Sequence, residues 1–325
     1  MDELGRRFLN RYQGGFPLVE HPYTAVAAEM GIERDELLEL IKGLVDEGLL
    51  SRFGPLFDAS SMGGSITLAA MSVPEENYEE VTALVNAMPE IAHNYQREHA
   101  LNMWFVLATE TPEALQQALE RIAQDSGLPV YNFPKLQTFY LGLWLHLDAH
   151  GGVSTEPVPG PLKRGGMIID ELDRCIVQYT QEGLPLQSEP WDEIAKNCGC
   201  DAPTVLQRMQ RMLDRGVIRR IGAVPNHYRL GLTANGMSVW DVDDGRLAEM
   251  GARVGRLDFV SHCYERPRHL PQWPYNLFAM IHGHDRDEVM QKKLEVAELL
   301  GGSCRRHEVL FSTRILKKTG LRLVA

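Results

Sequence analysis

Residues 2–18 read DELGRRFLNRYQGGFPL, and residues 170–186 read DELDRCIVQYTQEGLPL. The match continues almost without gaps. Pro22-Tyr23 lies over Pro190-Trp191, and LVDEGLLSRFG at 44–54 lies over MLDRGVIRRIG at 212–222. Arg52 falls on Arg220 and Gly54 on Gly222, an offset of 168. The offset stays within 166–169 through MSV at 71–73 and 237–239, then grows to 174 where Asn102 falls on Asn276. That growth is one insertion in the second copy, within PRHLPQWPY. Self-similarity at one fixed period means a tandem duplication, and it governs every other reading of the chain.

Within each copy the pattern order is the same. In the first, Leu37, Leu40, Ile41 and Leu44 recur at helical spacing. They close a helix-turn-helix that leads through GLLSRFG into a wing-like ribbon. A β-α-β-β-α-β order follows: ITLAAMSV, NYEEVTALVNAM, IAHNYQREH, NMWFVLAT, TPEALQQALERIAQDSG and a closing strand near KLQTFYL. That order specifies a ferredoxin-like α/β sandwich. The expected division is helix-turn-helix at 1–60, sandwich at 61–149, linker at 150–166, helix-turn-helix at 167–228 and sandwich at 229–325. The Gly- and Pro-rich HGGVSTEPVPGPLKRGG carries no apolar period, which is why it reads as the linker. Helix-turn-helix plus sandwich resembles the Lrp/AsnC regulators, whose sandwiches pair. The resemblance implies a dimer fused into one chain, an α+β pseudo-dimer.

A regulator would grip DNA with its second helix, and charge argues against that. ERDELLELIKGLVDE carries Glu33, Asp35, Glu36, Glu39, Asp46 and Glu47 against Arg34 and Lys42, in a chain of net charge −11. Such a face repels phosphates. Copy two is less hostile, with Arg208, Arg211 and Arg215. The expectation is no DNA partner. No apolar run reaches the roughly 18 residues of a membrane span, and MDELGRRFLN lacks a signal-peptide core, so a cytoplasmic chain is expected. Cys198 and Cys200 in NCGC read as free thiols, since no second pair stands at zinc-site spacing.

The chemistry-bearing residues repeat as well. In HNYQREH, at 93–99, a strand aims His93, Tyr95, Arg97 and His99 at one face. In SHCYERPRHLPQWPYN, His262, Tyr264 and Arg266 repeat the first three. A polar solvent face is the plain reading of either strand alone. Two copies of imidazole, phenol and guanidinium favour a large polyanionic ligand instead: arginine grips carboxylates, tyrosine offers a flat face, and histidine exchanges protons near neutral pH.

RRIGAVPNHYRLG at 219–231, HNYQREHALNMWFV at 93–106 and SHCYERPRHLPQWPYNLFAMIHG at 261–283 resemble the siroheme decarboxylases, relatives of the Lrp/AsnC group. The whole chain is similar to their fused two-subunit form. The resemblance implies conversion of siroheme to 12,18-didecarboxysiroheme in heme d1 or alternative heme biosynthesis. It further implies no organic cofactor, no protein-bound metal beyond the substrate's own iron, and a possible homo-oligomer. His93, His99 and His262 become acid/base candidates, one of them alternatively an iron contact. Tyr95, Arg97, His227, Arg229, Tyr264, Arg266, Trp273, Tyr275 and Asn276 become substrate-binding candidates. Other histidines, His282 included, take bland readings. A tetrapyrrole-sensing regulator on the same scaffold is the second reading; turnover of siroheme separates the two.

Overall fold

The structure is a computed structural model that describes residues 1–159 and 165–318. Copy one opens with helices α1 (Glu3–Tyr12), α2 (Pro22–Met30) and α3 (Arg34–Asp46), then strand β1 (Leu50–Phe57). Its sandwich holds β2 (Ser65–Met71), α4 (Tyr78–Ala87), β3 (Ile91–Arg97), β4 (Met103–Thr109), α5 (Pro112–Ser126) and β5 (Val130–Pro134), followed by β6 (Gln137–Leu141), β7 (Trp144–Leu147) and β8 (Val153–Glu156). Copy two repeats the plan with α6 (Glu171–Thr180), α7 (Pro190–Cys198), α8 (Ala202–Asp214) and β9 (Ile218–Pro225). Then come β10 (Ala234–Val242), α9 (Leu247–Val254), β11 (Val260–Glu265), β12 (Leu277–Gly283), α10 (Arg286–Leu300) and β13 (Cys304–Lys318).

The duplication is confirmed, and it is more intertwined than its halves suggest. The main sheet runs β5-β2-β4-β3-β13-β10-β12-β11-β6. The first half of β13 pairs β10 inside its own copy, and its second half pairs β3 of the other. Reciprocally, β6 leaves copy one to pair β11 of copy two. KLQTFYL is therefore the exchanged strand, and β5 closes copy one's own sandwich. Only Lys135 and Leu136 separate β5 from β6, the two ends of the strand order, so the sheet curls round on itself. Helices α4 and α5 cover one outer face and α9 and α10 the other, each over its own apolar core.

The expected wings also merge: β1 and β9 pair with each other, with Gly54 directly opposite Gly222. A Cβ at Gly54 would stand 2.8 Å from the Leu184 amide nitrogen, and one at Gly222 would stand 2.2 Å from the Tyr12 carbonyl oxygen. Only glycine lets the backbones pass. The six helices beside this ribbon share one core, from Phe8 and Leu37 to Trp191 and Met209. The β7–β8 hairpin joins it because Gln13 and Asn10 on α1 each make two amide hydrogen bonds, to the Leu145 and Leu147 backbones, at 2.6–2.9 Å. The 150–166 stretch is thus partly strand rather than all linker; residues 160–164 and 319–325 lie outside the described residues. Cys198 forms a disulfide with Cys175 across α6 and α7, against the expectation of a free thiol, while Cys200 remains free. No spacing rule marks two cysteines that helix packing brings together. Among the described residues no helix is long and apolar enough to cross a membrane.

The insertion in copy two fills part of the sheet's interior. His269 and Trp273 exchange backbone hydrogen bonds at 2.7–2.8 Å, making a tight loop. Trp273 is fully buried, 5.0 Å from Trp104 and 5.4 Å from Phe133 of copy one, centroid to centroid. Truncating so large a buried ring costs about 3–5 kcal/mol. Trp273→Ala is therefore expected to lower the denaturant midpoint of the whole chain by that much stability, measured by tryptophan-independent circular dichroism.

Candidate active site

Between this plug and the β1–β9 ribbon the interior opens into a cavity of about 460 Å³, within the range of small-molecule sites. Strand β3 supplies His93, Tyr95 and Arg97, and β11 with its next residue supplies His262, Tyr264 and Arg266. Alternation along each strand turns all three the same way. The two triads are near copies in geometry as well as sequence. The His–Tyr ring centroids lie 6.1 Å apart in copy one and 6.0 Å in copy two. Each guanidinium sits over its tyrosine, at 5.7 and 5.1 Å. Each arginine also crosses to the other copy: Arg97 donates to the Leu310 carbonyl on β13 at 2.5 Å, and Arg266 to that of Phe133 on β5.

His227 lines the same cavity, as expected. Five candidates do not. The β3 strand ends at Arg97, so His99 leaves its row; its Nδ1 accepts from the Leu101 amide, and its ring packs edge-on against Trp273 at 5.3 Å. Arg229 is exposed, beside Gly48. Trp273 belongs to the plug. Tyr275 donates to Glu308 on β13. Asn276 bridges the Val242 backbone, donating to its carbonyl and accepting from its amide at 2.9 Å. Asn102 does the same to Val73, so the aligned asparagines hold strand ends together rather than a ligand.

The cavity also draws on residues the sequence left unmarked: Lys135, Arg219, Tyr228, Asn235, His282 and Lys318. Lys135 sits just before the exchanged β6 and Lys318 ends the exchanged β13, so each depends on the strand exchange for its place at the cavity. His282 closes an apolar strand, which hid it. In sequence, Arg219 stands within the quoted RRIGAVPNHYRLG motif, opposite Ser51 of copy one. Arg219 faces the cavity, whereas Arg220 donates to the Leu143 carbonyl at 3.0 Å. Among the described residues no group of three His, Cys, Asp or Glu side chains is placed to hold a metal ion. On the helical side, the less hostile arginines of α8 are engaged: Arg208 binds Asp170 and Asp173 at 2.5 and 3.3 Å, and Arg211 binds Asp173 at 2.6 Å.

Comparison with known proteins agrees with this architecture. The AsnC-like ligand binding domain matches residues 61–140 and 229–317, and the Siroheme decarboxylase NirDL-like HTH domain matches 5–50 and 173–219. A siroheme decarboxylase of Hydrogenobacter thermophilus is 34% identical over 319 residues, 97% of this chain and 93% of that protein. A siroheme decarboxylase NirH subunit of Paracoccus pantotrophus is 55% identical over 154 residues, 47% of this chain and 96% of that subunit. The crystal structure of the siroheme decarboxylase NirDL in co-complex with an iron-uroporphyrin III analogue superposes with a TM-score of 0.74 at 29% identity, covering 98% of this chain and 93% of that one.

Burial sets the protonation of the cavity's side chains. It lowers His93 to about 4, helped by Lys318, and His227 likewise to about 4. Burial also lowers His262 to about 3, helped by Arg219, Lys135 and other cationic neighbours. Burial brings Arg97 and Arg266 down to about 10, still charged at neutral pH. Asp58 alone among the lining residues is acidic. The unfolded chain, with His93 near its ordinary 6.5, binds more protons than the folded chain between about pH 4 and 6.5. Folding stability contributed by neutral His93 is thus full above that window and lost as pH falls through it. His93→Gln, which cannot titrate, is expected to make the melting temperature fall less between pH 6.5 and pH 4; calorimetry across that range checks it.

Proposed function

The chain belongs to the siroheme decarboxylase family, and on that premise we propose that it removes two acetate carboxyl groups from siroheme inside the cavity between its halves. The chain is a decarboxylase. The observation that carries the site assignment is the pair of His-Tyr-Arg triads facing one cavity, with Lys135 and Arg219 as further cations against a single carboxylate. Tyrosines Tyr95 and Tyr264 provide flat faces for a macrocycle, and the cations take its carboxylates. Each charge-assisted hydrogen bond of that kind contributes about 1.5–3 kcal/mol.

Losing CO2 leaves an electron pair on carbon, and a sink must accept it. Most such reactions borrow an organic cofactor; a pyrrole-acetate supplies its own sink. Protonation of the ring carbon beside the side chain makes an iminium-like cation. The C–COO bond then breaks, its electron pair forms an exocyclic C=C, and CO2 departs. The terminal methylene takes a proton to become methyl, and the ring carbon returns its own proton to the protein. The balance is one proton consumed per CO2. We therefore read the enzyme as working without an organic cofactor, the iron being the substrate's own. A cavity histidine carries the protons: burial holds both His262 and His93 neutral, and a carboxylate beside either favours the charged imidazolium that can donate.

The same reading places the chain in the cytoplasm, in the route to heme d1, with no DNA partner, because α3 is acidic and Arg208 and Arg211 of α8 are already paired. Anaerobic incubation of the purified chain with siroheme, followed by mass spectrometry, is expected to show loss of two carboxyl groups. His262→Ala should slow that loss by 100-fold or more, a typical contribution of one proton donor, with the far-ultraviolet circular dichroism unchanged. A parent chain that returned siroheme intact would end the reading. Arg219→Met is expected to weaken siroheme binding by about 10- to 100-fold, read by absorbance titration.

A further inference from the structure

The two triads match in outline and differ behind the histidine. In copy two a line of buried polar groups backs His262. The His282 Nδ1 and the Asn235 Oδ1 are hydrogen-bonded, and the Ser261 hydroxyl and the His282 Nε2 lie 2.6 Å apart. The Ser261 oxygen is also 2.6 Å from the His262 Nδ1. Copy one has nothing of the sort. Ser261 aligns with Ala92 and His282 with Ala108, which carry no donor or acceptor side chain, and among the described residues the buried His93 Nδ1 has no hydrogen-bond partner.

Hydrogen-bond logic gives the line a direction. An amide oxygen only accepts, so the His282 Nδ1 carries the hydrogen and its Nε2 is the acceptor. The Ser261 hydroxyl then spends its one hydrogen on His282, and its lone pairs accept from the His262 Nδ1–H. We propose that Asn235, His282 and Ser261 are positioning residues that hold His262 as the Nδ1–H tautomer, leaving its Nε2 as the proton-carrying atom on the cavity side. This rests on the siroheme decarboxylase reading above and deepens it, because it makes the two halves chemically unequal. A proton taken up at Nε2 can be passed to substrate carbon without any rearrangement at Nδ1, whose hydrogen stays on that nitrogen, donated to the Ser261 oxygen, throughout. His93 lacks that anchor, so its triad binds and stabilises while the copy-two triad transfers the proton. Ser261, Asn235 and His282 lie on adjacent strands; Ser261 and His282 are 2% and 4% exposed, and Asn235 is half-buried.

Two-bond proton–nitrogen NMR of the full chain, labelled with 15N-histidine and with His262→Gln to identify the signal, reads the tautomer directly. The parent is expected to show His262 as Nδ1–H. Ser261→Ala should convert it to a mixture or to Nε2–H and lower kcat for siroheme about 10-fold with KM nearly unchanged. Ser261→Thr, which keeps the hydroxyl, should restore both. A parent signal of the Nε2–H form, or a Ser261→Ala variant that keeps either the parent tautomer or the parent kcat, overturns the assignment. A parent chain inert toward siroheme would overturn the functional reading instead, and the NMR arm would still decide the tautomer.

Discussion

The backbone ladders that tie β13 to β3 and β6 to β11 are the constraint on which everything else rests. Neither copy's sandwich presents an unpaired edge there, and an open edge is a liability for any sheet. Because the ladders are main-chain bonds, they set the register of the two copies to within a residue. A slip of one residue would turn His93, Tyr95 and Arg97 to the opposite face. The same exchange brings Lys135 and Lys318 to the cavity, and it gives Arg97 and Arg266 carbonyl oxygens to hold on the opposite copy. Fold and site are therefore one construction: the strands that join the halves are the strands that carry the chemistry.

The cavity gathers positive charge with little to balance it: among its described lining residues Asp58 alone is acidic. Burying a cation without a counter-ion is costly, and here two arginines, almost wholly buried, each leave an Nε without a partner. The carbonyl oxygens of Leu310 and Phe133 satisfy them only in part. The surroundings therefore favour a polyanionic occupant over a neutral or cationic one. The histidines sit on the same balance. Their low proton affinity is the result of dry surroundings and positive neighbours, and both change when carboxylates enter.

Much of this was legible in the sequence, and what was not has physical reasons. The duplication, the helix-turn-helix pattern and the His-x-Tyr-x-Arg rows are local regularities, and each survived. The destination of KLQTFYL is not local: period-2 alternation marks a strand but says nothing of whose edge it joins. His99 continued the alternation on paper, yet β3 stops at Arg97 and the next residues turn toward β4. Trp273, Tyr275 and Asn276 belong to the most distinctive motif in the chain, and they support the site without lining it. A family signature marks what is hard to replace, and a plug that spans both halves is as hard to replace as a ligand contact. Lys135 and His282 failed to stand out because a lone lysine between strands and a lone histidine ending an apolar run are common in any protein.

Gly54 and Gly222 face each other at the midpoint of the β1–β9 ribbon, each pressed against backbone that the other half of the molecule provides. Around that point the two halves have drifted: one gained a loop, one gained a polar backing to its histidine, and one has an acidic helix where the other is basic. At the point itself drift is barred, since any side chain on either glycine would push the opposite half away. The two-fold relation of the halves is thus pinned at this crossing, where neither can gain even a methyl group without displacing the other.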